Sequence, residues 1–217
     1  MKIFLDTADV EEIKKAVDSG VLDGITTNPS RIAKAGRPFE SIAREILAMV
    51  PGDVSLEAMS EKWPDMIKEV KVLAGWGNNA VIKLPMTRDG IKALAILSKE
   101  GIRINLTMVA SQNQALLACK AGATYVSIIV GRMDAIGMNG MEVVRDTKEM
   151  IKEYGFGSQI IIGSVRTPLH VLTAARAGAD VVTVPYKVFD QLFGHPLTDG
   201  GLAQFEKDWS KVEGEVT

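Results

Sequence analysis

The sequence predicts one α/β domain, a closed (β/α)8 barrel, and three observations carry that reading. Short apolar runs begin near residues 2, 24, 54, 80, 103, 125, 159 and 180, which makes eight candidate strands. They are rich in Val, Ile and Leu without clean polar alternation, as expected of parallel strands covered on both faces. Each run is followed by a charged stretch of helical pattern, and eight β-then-α units point to a TIM barrel. The competing architecture, an open doubly wound sheet, usually carries a glycine-rich phosphate loop after its first strand. Here that strand runs into Asp6-Thr7-Ala8-Asp9.

Taken in order, the first strand is Lys2-Ile3-Phe4-Leu5, ending at Asp6. Val10 to Ser19, Asp65 to Leu73, Gly90 to Lys99, Ser111 to Lys120 and Gly140 to Tyr154 then read as intervening helices. Glycines at 20, 101, 122 and 155 mark helix stops. The barrel accounts for residues 1–217 without a linker, but residues 187–212 form a longer and more aromatic extension than a closing helix requires. Phe189, Leu192, Phe193, Leu202, Phe205 and Trp209 recur there at helical spacing. Either they pack on the barrel wall or they meet another subunit. Residues 213–217 carry no pattern and are expected to fray.

Composition limits the partners. With 47% hydrophobic and 24% charged residues, the chain can bury one sizeable core. A net charge of −2 with interspersed signs offers no basic field for nucleic acid and no basic helix for a membrane surface. No apolar run approaches the roughly 18 residues of a spanning helix, and the start lacks a signal layout, so a cytoplasmic protein is expected. The single cysteine, Cys119, lies among alanines in a helical stretch and reads as core.

Catalytic groups of such a barrel lie at the C-terminal ends of its strands. Those ends are unusually polar here: Asp6, Thr26-Thr27-Asn28, Glu57, Lys83, Asn105-Leu106-Thr107, Ser127 and Ser164. Side chains alternate along a strand, so Thr26 and Asn28 share a face, as do Asn105 and Thr107. Lys83 is the most informative, because it sits inside Ala80-Val81-Ile82-Lys83-Leu84-Pro85. Burial there favours the neutral amine, which can attack a ketone and form an imine. An ion pair to Asp6 or Glu57 that merely fills the barrel accounts for Lys83 equally well. Schiff-base chemistry also needs a base for the hydroxyl beside the breaking bond and a proton shuttle for loss of water. Asp6 and Glu57, from different strands of one rim, can divide those tasks.

Gly163-Ser164-Val165-Arg166-Thr167-Pro168 runs from a strand into a helix start, and Arg132 lies just beyond strand six. Loops in these places suit a phosphate dianion held by an arginine fork. Helix capping and solvated arginines are the plainer alternative. His170 and His195 are the only histidines and lack metal-ligand spacing, so neither metal nor cofactor is expected.

The chain resembles the short microbial transaldolases, grouped with the fructose-6-phosphate aldolases, over nearly its whole length. The segments that carry the resemblance are Phe4-Leu5-Asp6-Thr7-Ala8, Gly24-Ile25-Thr26-Thr27-Asn28-Pro29-Ser30, Val81-Ile82-Lys83-Leu84-Pro85-Met86, Ile104-Asn105-Leu106-Thr107, Gln114-Ala115-Leu116-Leu117-Ala118, Lys120-Ala121-Gly122-Ala123, Gly131-Arg132 and His195-Pro196-Leu197-Thr198-Asp199. The resemblance implies that Lys83 forms the Schiff base and that Asp6 is the acid/base for carbon–carbon cleavage. It gives Glu57 a proton-shuttle role through water held partly by Thr107. Asn28 and Asn105 would bond substrate hydroxyls, Thr26 and Ser127 would line the site, and Arg132, Ser164 and Arg166 would hold phosphate. It further implies transfer of a dihydroxyacetone unit between sugar phosphates in the non-oxidative pentose phosphate pathway. Homo-oligomers of five or ten subunits, with a C-terminal helix reaching a neighbour, complete the implication.

Two positions bear on transfer against free aldol cleavage. Transaldolases are similar to this chain in having glutamate at Glu57, where the aldolases carry glutamine. Two residues after Ser127, transaldolases usually have phenylalanine and the aldolases tyrosine. This sequence has Ile129, which removes the aldolase hydroxyl without restoring the transaldolase ring. A free aldolase and a non-catalytic sugar-phosphate-binding barrel are the alternatives, and the latter would need no Lys83 flanked by two carboxylates.

Overall fold

In the computed structural model, which describes residues 1–212, eight parallel strands close into a barrel in sequence order. They are β1 (Lys2–Asp6), β2 (Gly24–Thr26), β3 (Asp53–Glu57), β4 (Ala80–Pro85), β5 (Ile104–Val109), β6 (Tyr125–Ile128), β7 (Gln159–Ile162) and β8 (Val181–Val184), and β8 pairs back onto β1. Every strand begins within one residue of its apolar run. The helices are α1 (Val10–Asp18), α2 (Pro29–Ala35), α3 (Phe39–Met49), α4 (Trp63–Ala74), α5 (Arg88–Leu97), α6 (Gln112–Lys120), α7 (Val130–Asp134), α8 (Gly140–Tyr154), α9 (Pro168–Arg176), α10 (Tyr186–Gln191) and α11 (Pro196–Trp209). The four glycines expected to stop helices all have positive φ. Two units depart from simple alternation: short helices α2 and α7 precede the main helices α3 and α8.

The strands lack polar alternation because their inward faces change character with height. Outward residues such as Leu5, Ile25, Leu56, Ile82, Leu106 and Val182 join helix residues such as Ile13, Ile46 and Leu94 in one large core between sheet and helices. The opposite face fills the lumen. At its lower end Phe4, Val81, Tyr125, Ile161 and Val181 form a separate apolar cluster, with Phe4 and Tyr125 in edge contact at 6.2 Å. Gly24 makes room for it: a Cβ there would lie 2.6 Å from the Phe4 ring and 2.5 Å from the Asp53 carbonyl. Two residues further along the same strands stand Asp6, Lys83, Ser127, Gly163 and Thr183. The alternation therefore turns an apolar plug below into a polar chamber above.

The C-terminal extension divides in two. Val188 and Phe189 of α10 are buried, the wall packing that the apolar stripe suggested. In α11, by contrast, none of the 14 residues is buried, and Phe205 and Trp209 remain 70% and 61% exposed. Residues 213–217, expected to fray, lie outside the described residues. No helix among the described residues is long and apolar enough to cross a membrane.

Candidate active site

The C-terminal mouth of the barrel holds a cavity of about 520 Å³, within the usual range for small-molecule sites. Asp6, Thr26, Asn28, Glu57, Lys83, Thr107, Ser127, Ile129, Arg132 and Ser164 all line it. Residues from six strands and the loops that follow them thus converge on one space, although they are scattered over nearly three-quarters of the chain.

Lys83 is only 8% exposed. Its Nζ donates to the Thr27 carbonyl at 3.0 Å and to Glu57 Oε2 at 3.3 Å. The Glu57 contact follows from register, since Glu57 and Lys83 are paired across β3 and β4. The Thr27 contact uses a carbonyl left free at the end of β2, while the Thr27 hydroxyl turns outward to the Ser55 carbonyl. A buried ammonium with one carboxylate and one carbonyl is satisfied at rest, and its remaining face opens on the cavity.

Asp6 is held from three sides. Asn28 Nδ2 donates to Oδ1 at 3.2 Å, Thr26 Oγ1 approaches the same oxygen at 3.5 Å, and Arg31 Nη2 donates to Oδ2 at 3.2 Å. Asn28 is oriented by the backbone. It caps α2, its Oδ1 accepting from the Arg31 amide at 3.1 Å, which leaves its Nδ2 for Asp6. Thr26 also shares a 2.6 Å hydrogen bond with Thr183 of β8.

Beneath the mouth lies a polar layer. Asn105 is 0% exposed; its Nδ2 donates to Ser55 Oγ at 3.1 Å and its Oδ1 accepts from Ser127 Oγ at 2.7 Å. Asn105 thus lies one layer below the residues that line the cavity and accepts from Ser127, which is one of them. Above it, the register of β5 on β6 shifts between Leu106 and Val109, and Met108 takes φ 64°. Such an irregularity re-aims neighbouring side chains at a barrel rim.

Three cations, Arg31, Lys34 and Arg132, also line the cavity. Arg132 sits on α7 and Ser164 follows β7 with φ 60°; these are the expected phosphate ligands. Gly131 brings them together, because a Cβ there would fall 1.9 Å from the Ser164 carbonyl oxygen. Met108 and Ser164 are the positive-φ residues other than glycine among the described residues, and both line the cavity. Backbone strain gathered at one mouth is characteristic of a working site. Arg166 is not brought to the cavity: it is exposed, and its amide donates to His170 Nδ1 at 3.2 Å. His170 Nε2 lies 3.4 Å from Asp134, and His195 caps α11, so both histidines have local structural partners. Among the described residues no group of three or more His, Cys, Asp or Glu is placed to hold a metal ion.

Sequence reasoning missed Arg31, Lys34, Met108 and Thr183, which also line the cavity. Thr183 carried a signal, a lone polar residue in Val-Val-Thr-Val. Arg31 and Lys34 stand in a helix too short to show a face, so nothing separated them from solvated charges.

Comparison with known proteins agrees with the geometry. The family model described as Transaldolase/Fructose-6-phosphate aldolase matches residues 3–216. A "Probable transaldolase" of Aquifex aeolicus is 55% identical over 212 residues, covering 98% of both chains. Another of that name, from Thermodesulfovibrio yellowstonii, is 55% identical over 213 residues, covering 98% of this chain and 100% of the relative. Among solved structures, a thiamine phosphate pyrophosphorylase from Pyrococcus furiosus superposes with a TM-score of 0.57 at 18% identity, covering 85% of each chain, which speaks to the barrel alone. With the family model spanning nearly the whole chain and relatives above half identity end to end, the chain belongs to the transaldolase/fructose-6-phosphate aldolase family.

Proposed function

We propose that the protein is a class I transaldolase, moving a dihydroxyacetone unit from one sugar phosphate to another through a Schiff base on Lys83. The observation that carries this reading is the buried Lys83 amine, 3.3 Å from Glu57 and sharing one cavity with a separately held carboxylate, Asp6. After its proton passes to Glu57, the neutral amine attacks C2 of fructose 6-phosphate or sedoheptulose 7-phosphate. Glu57, working through water with Thr107, assists loss of the C2 oxygen as water, leaving an iminium. Asp6 takes the C4 hydroxyl proton, the C3–C4 bond breaks, and its electron pair moves into the iminium to give an enamine. An aldose phosphate leaves. When a second aldose phosphate enters, the enamine carbon attacks its aldehyde, Asp6 returns the proton to the new hydroxyl, and hydrolysis frees Lys83. Arg132 and Ser164 hold the phosphate of the donor and, after the first aldose phosphate has left, that of the acceptor. The reaction balances without metal or cofactor and belongs to the non-oxidative pentose phosphate pathway.

Borohydride reduction in the presence of fructose 6-phosphate, followed by peptide mass measurement, tests the chemistry. A three-carbon adduct on Lys83 is expected, and its absence sinks the mechanism. Transfer is tested separately: erythrose 4-phosphate should greatly accelerate release of glyceraldehyde 3-phosphate. Equal release without an acceptor would make the enzyme a free fructose-6-phosphate aldolase, the reading against which Glu57 argues.

The same reading extends to assembly. A 14-residue helix burying nothing of itself is marginal in water, and α11 turns Leu197, Leu202, Phe205 and Trp209 to solvent. Contact with a neighbouring copy, in a pentamer or decamer, covers that apolar face. Light scattering should give five or ten chain masses, and Phe205→Asp with Trp209→Asp should reduce them to one.

A further inference from the structure

The geometry points to Arg31 as a positioning residue that fixes the Asp6 carboxylate for carbon–carbon cleavage, an inference that rests on the Schiff-base reading above. Arg31 is the third residue of α2, and its Nη2 lies 3.2 Å from Asp6 Oδ2. Helix stability does not ask for a cation there: a positive charge in the first turn is opposed by the helix dipole. The pairing is also not a surface bridge of convenience, since both side chains are largely covered, at 32% and 27% exposure, and both line the cavity.

The contact matters because of what the other partners leave free. A carboxylate offers about four acceptor positions. Asn28 and Thr26 address Oδ1, and Arg31 alone addresses Oδ2 among the described hydrogen bonds. Without Arg31 the group can turn about its Cβ–Cγ bond with only one oxygen anchored. With it, both oxygens are fixed and one acceptor position is left on a carboxylate that lines the same cavity as Lys83. The backbone reinforces the arrangement, for the Arg31 amide donates to the same Asn28 whose Nδ2 holds Oδ1. Asn28 and Arg31 therefore grip opposite oxygens of Asp6 from one turn of one helix. Proton removal from the C4 hydroxyl depends on that orientation; imine formation at Lys83, served by Glu57, does not.

The step-specific role can be read from the mass of the trapped adduct. Wild type, Arg31→Leu and Arg31→Lys are each reduced with borohydride in the presence of fructose 6-phosphate, and kcat and KM are measured with erythrose 4-phosphate as acceptor. Wild type should yield the three-carbon adduct on Lys83. Arg31→Leu should still form the imine but stall before cleavage, so its adduct shifts to the six-carbon phosphate. Its kcat should fall about 10- to 100-fold with KM changed less than about threefold. Arg31→Lys, which keeps a cation within reach of Oδ2, should recover part of the kcat and of the three-carbon adduct. A three-carbon adduct with undiminished kcat in Arg31→Leu would overturn the positioning role. So would a raised KM at unchanged kcat, which makes Arg31 a substrate ligand, or a natively folded variant that traps nothing, which places Arg31 before the imine. No adduct in wild type would instead remove the Schiff-base reading itself.

Discussion

The lower and upper halves of the barrel lumen are built by the same strands, two residues apart, to opposite purposes. Phe4 and Asp6, Val81 and Lys83, Tyr125 and Ser127, Val181 and Thr183 are successive inward positions. The first of each pair belongs to a closed apolar cluster, and the second lies in or beside a polar cavity. Each strand thus carries stability at its entrance and chemistry at its exit. The plug makes the chamber possible: buried polar groups are expensive unless their partners are fixed, and a rigid base fixes the strands that present Lys83, Asn105 and Ser127. If the halves are separable, changes to the upper inward side chains should cost activity and spare stability, and changes to the lower ones the reverse.

The largest effect should come from Lys83→Met. On the Schiff-base reading, turnover falls by about four orders of magnitude or more. The unfolding midpoint should change little, because Glu57, the carboxylate left without its partner, is 22% exposed and lines the cavity, where water can replace the lysine. Denaturant titration beside a coupled transaldolase assay checks both; a large loss of stability would show that the upper half also carries the fold. Phe4→Ala makes the converse experiment. Removing a ring buried against Tyr125 should cost about 3–5 kcal/mol of stability, with kcat per folded molecule changed less than about twofold. A kcat that collapses while the protein remains folded would break the separation.

Gly131→Ala sharpens the comparison at the rim. Its Cβ would meet the Ser164 carbonyl oxygen at 1.9 Å, so the strand-seven loop and α7 must part. Overpacking of this kind costs about 1–3 kcal/mol, and the displaced Arg132 and Ser164 should raise KM for phosphorylated donors about tenfold. An unphosphorylated ketose should be affected far less. Equal loss for both would mean that Arg132 and Ser164 do not hold the phosphate.

How much of this was legible in the sequence depended on scale. Lys83, Asp6 and Glu57 were readable because a charged residue ending an apolar strand is anomalous on its face, and barrel topology sends such residues to one rim. Asn105 was readable as inward-facing, but its depth was not: whether it meets substrate or only Ser55 and Ser127 depends on where the chamber floor falls, which strand alternation does not encode. The helices α2 and α7 were invisible because seven and five residues show no period, and with them went Arg31. Arg166 was readable only as lying near a strand end, which gives no direction; it stands exposed just ahead of α9 and is not among the residues that line the cavity. The apolar stripe after residue 187 was visible as a stripe, yet only the fold separates Phe189 on the wall from Phe205 in solvent.

The smallest effect tests the plug through pH. Burial first, and then the hydrogen bond that Tyr125 donates to Asp53 Oδ2 at 2.8 Å, raise the phenol's pKa above its ordinary value of 10.0. A group whose folded pKa is raised contributes stability that is fully present below its unfolded value and is lost as pH rises through the folded one. The unfolded chain therefore ionises Tyr125 above pH 10 while the native plug holds it neutral, and stability drains away over that alkaline window. Tyr125→Phe lacks this dependence. At neutral pH it should cost only about 1 kcal/mol, since Asp53 keeps Arg103 Nη1 at 2.6 Å. Above pH 10 the gap between wild type and variant should close, and then reverse. Urea midpoints of both proteins at pH 7, 10 and 11 measure it, with the remaining tyrosines and lysines common to both and cancelling. A gap constant across that range would mean that the phenol is not sealed in the native plug, and a matching shift in kcat would mean that the lower half reaches the chemistry after all.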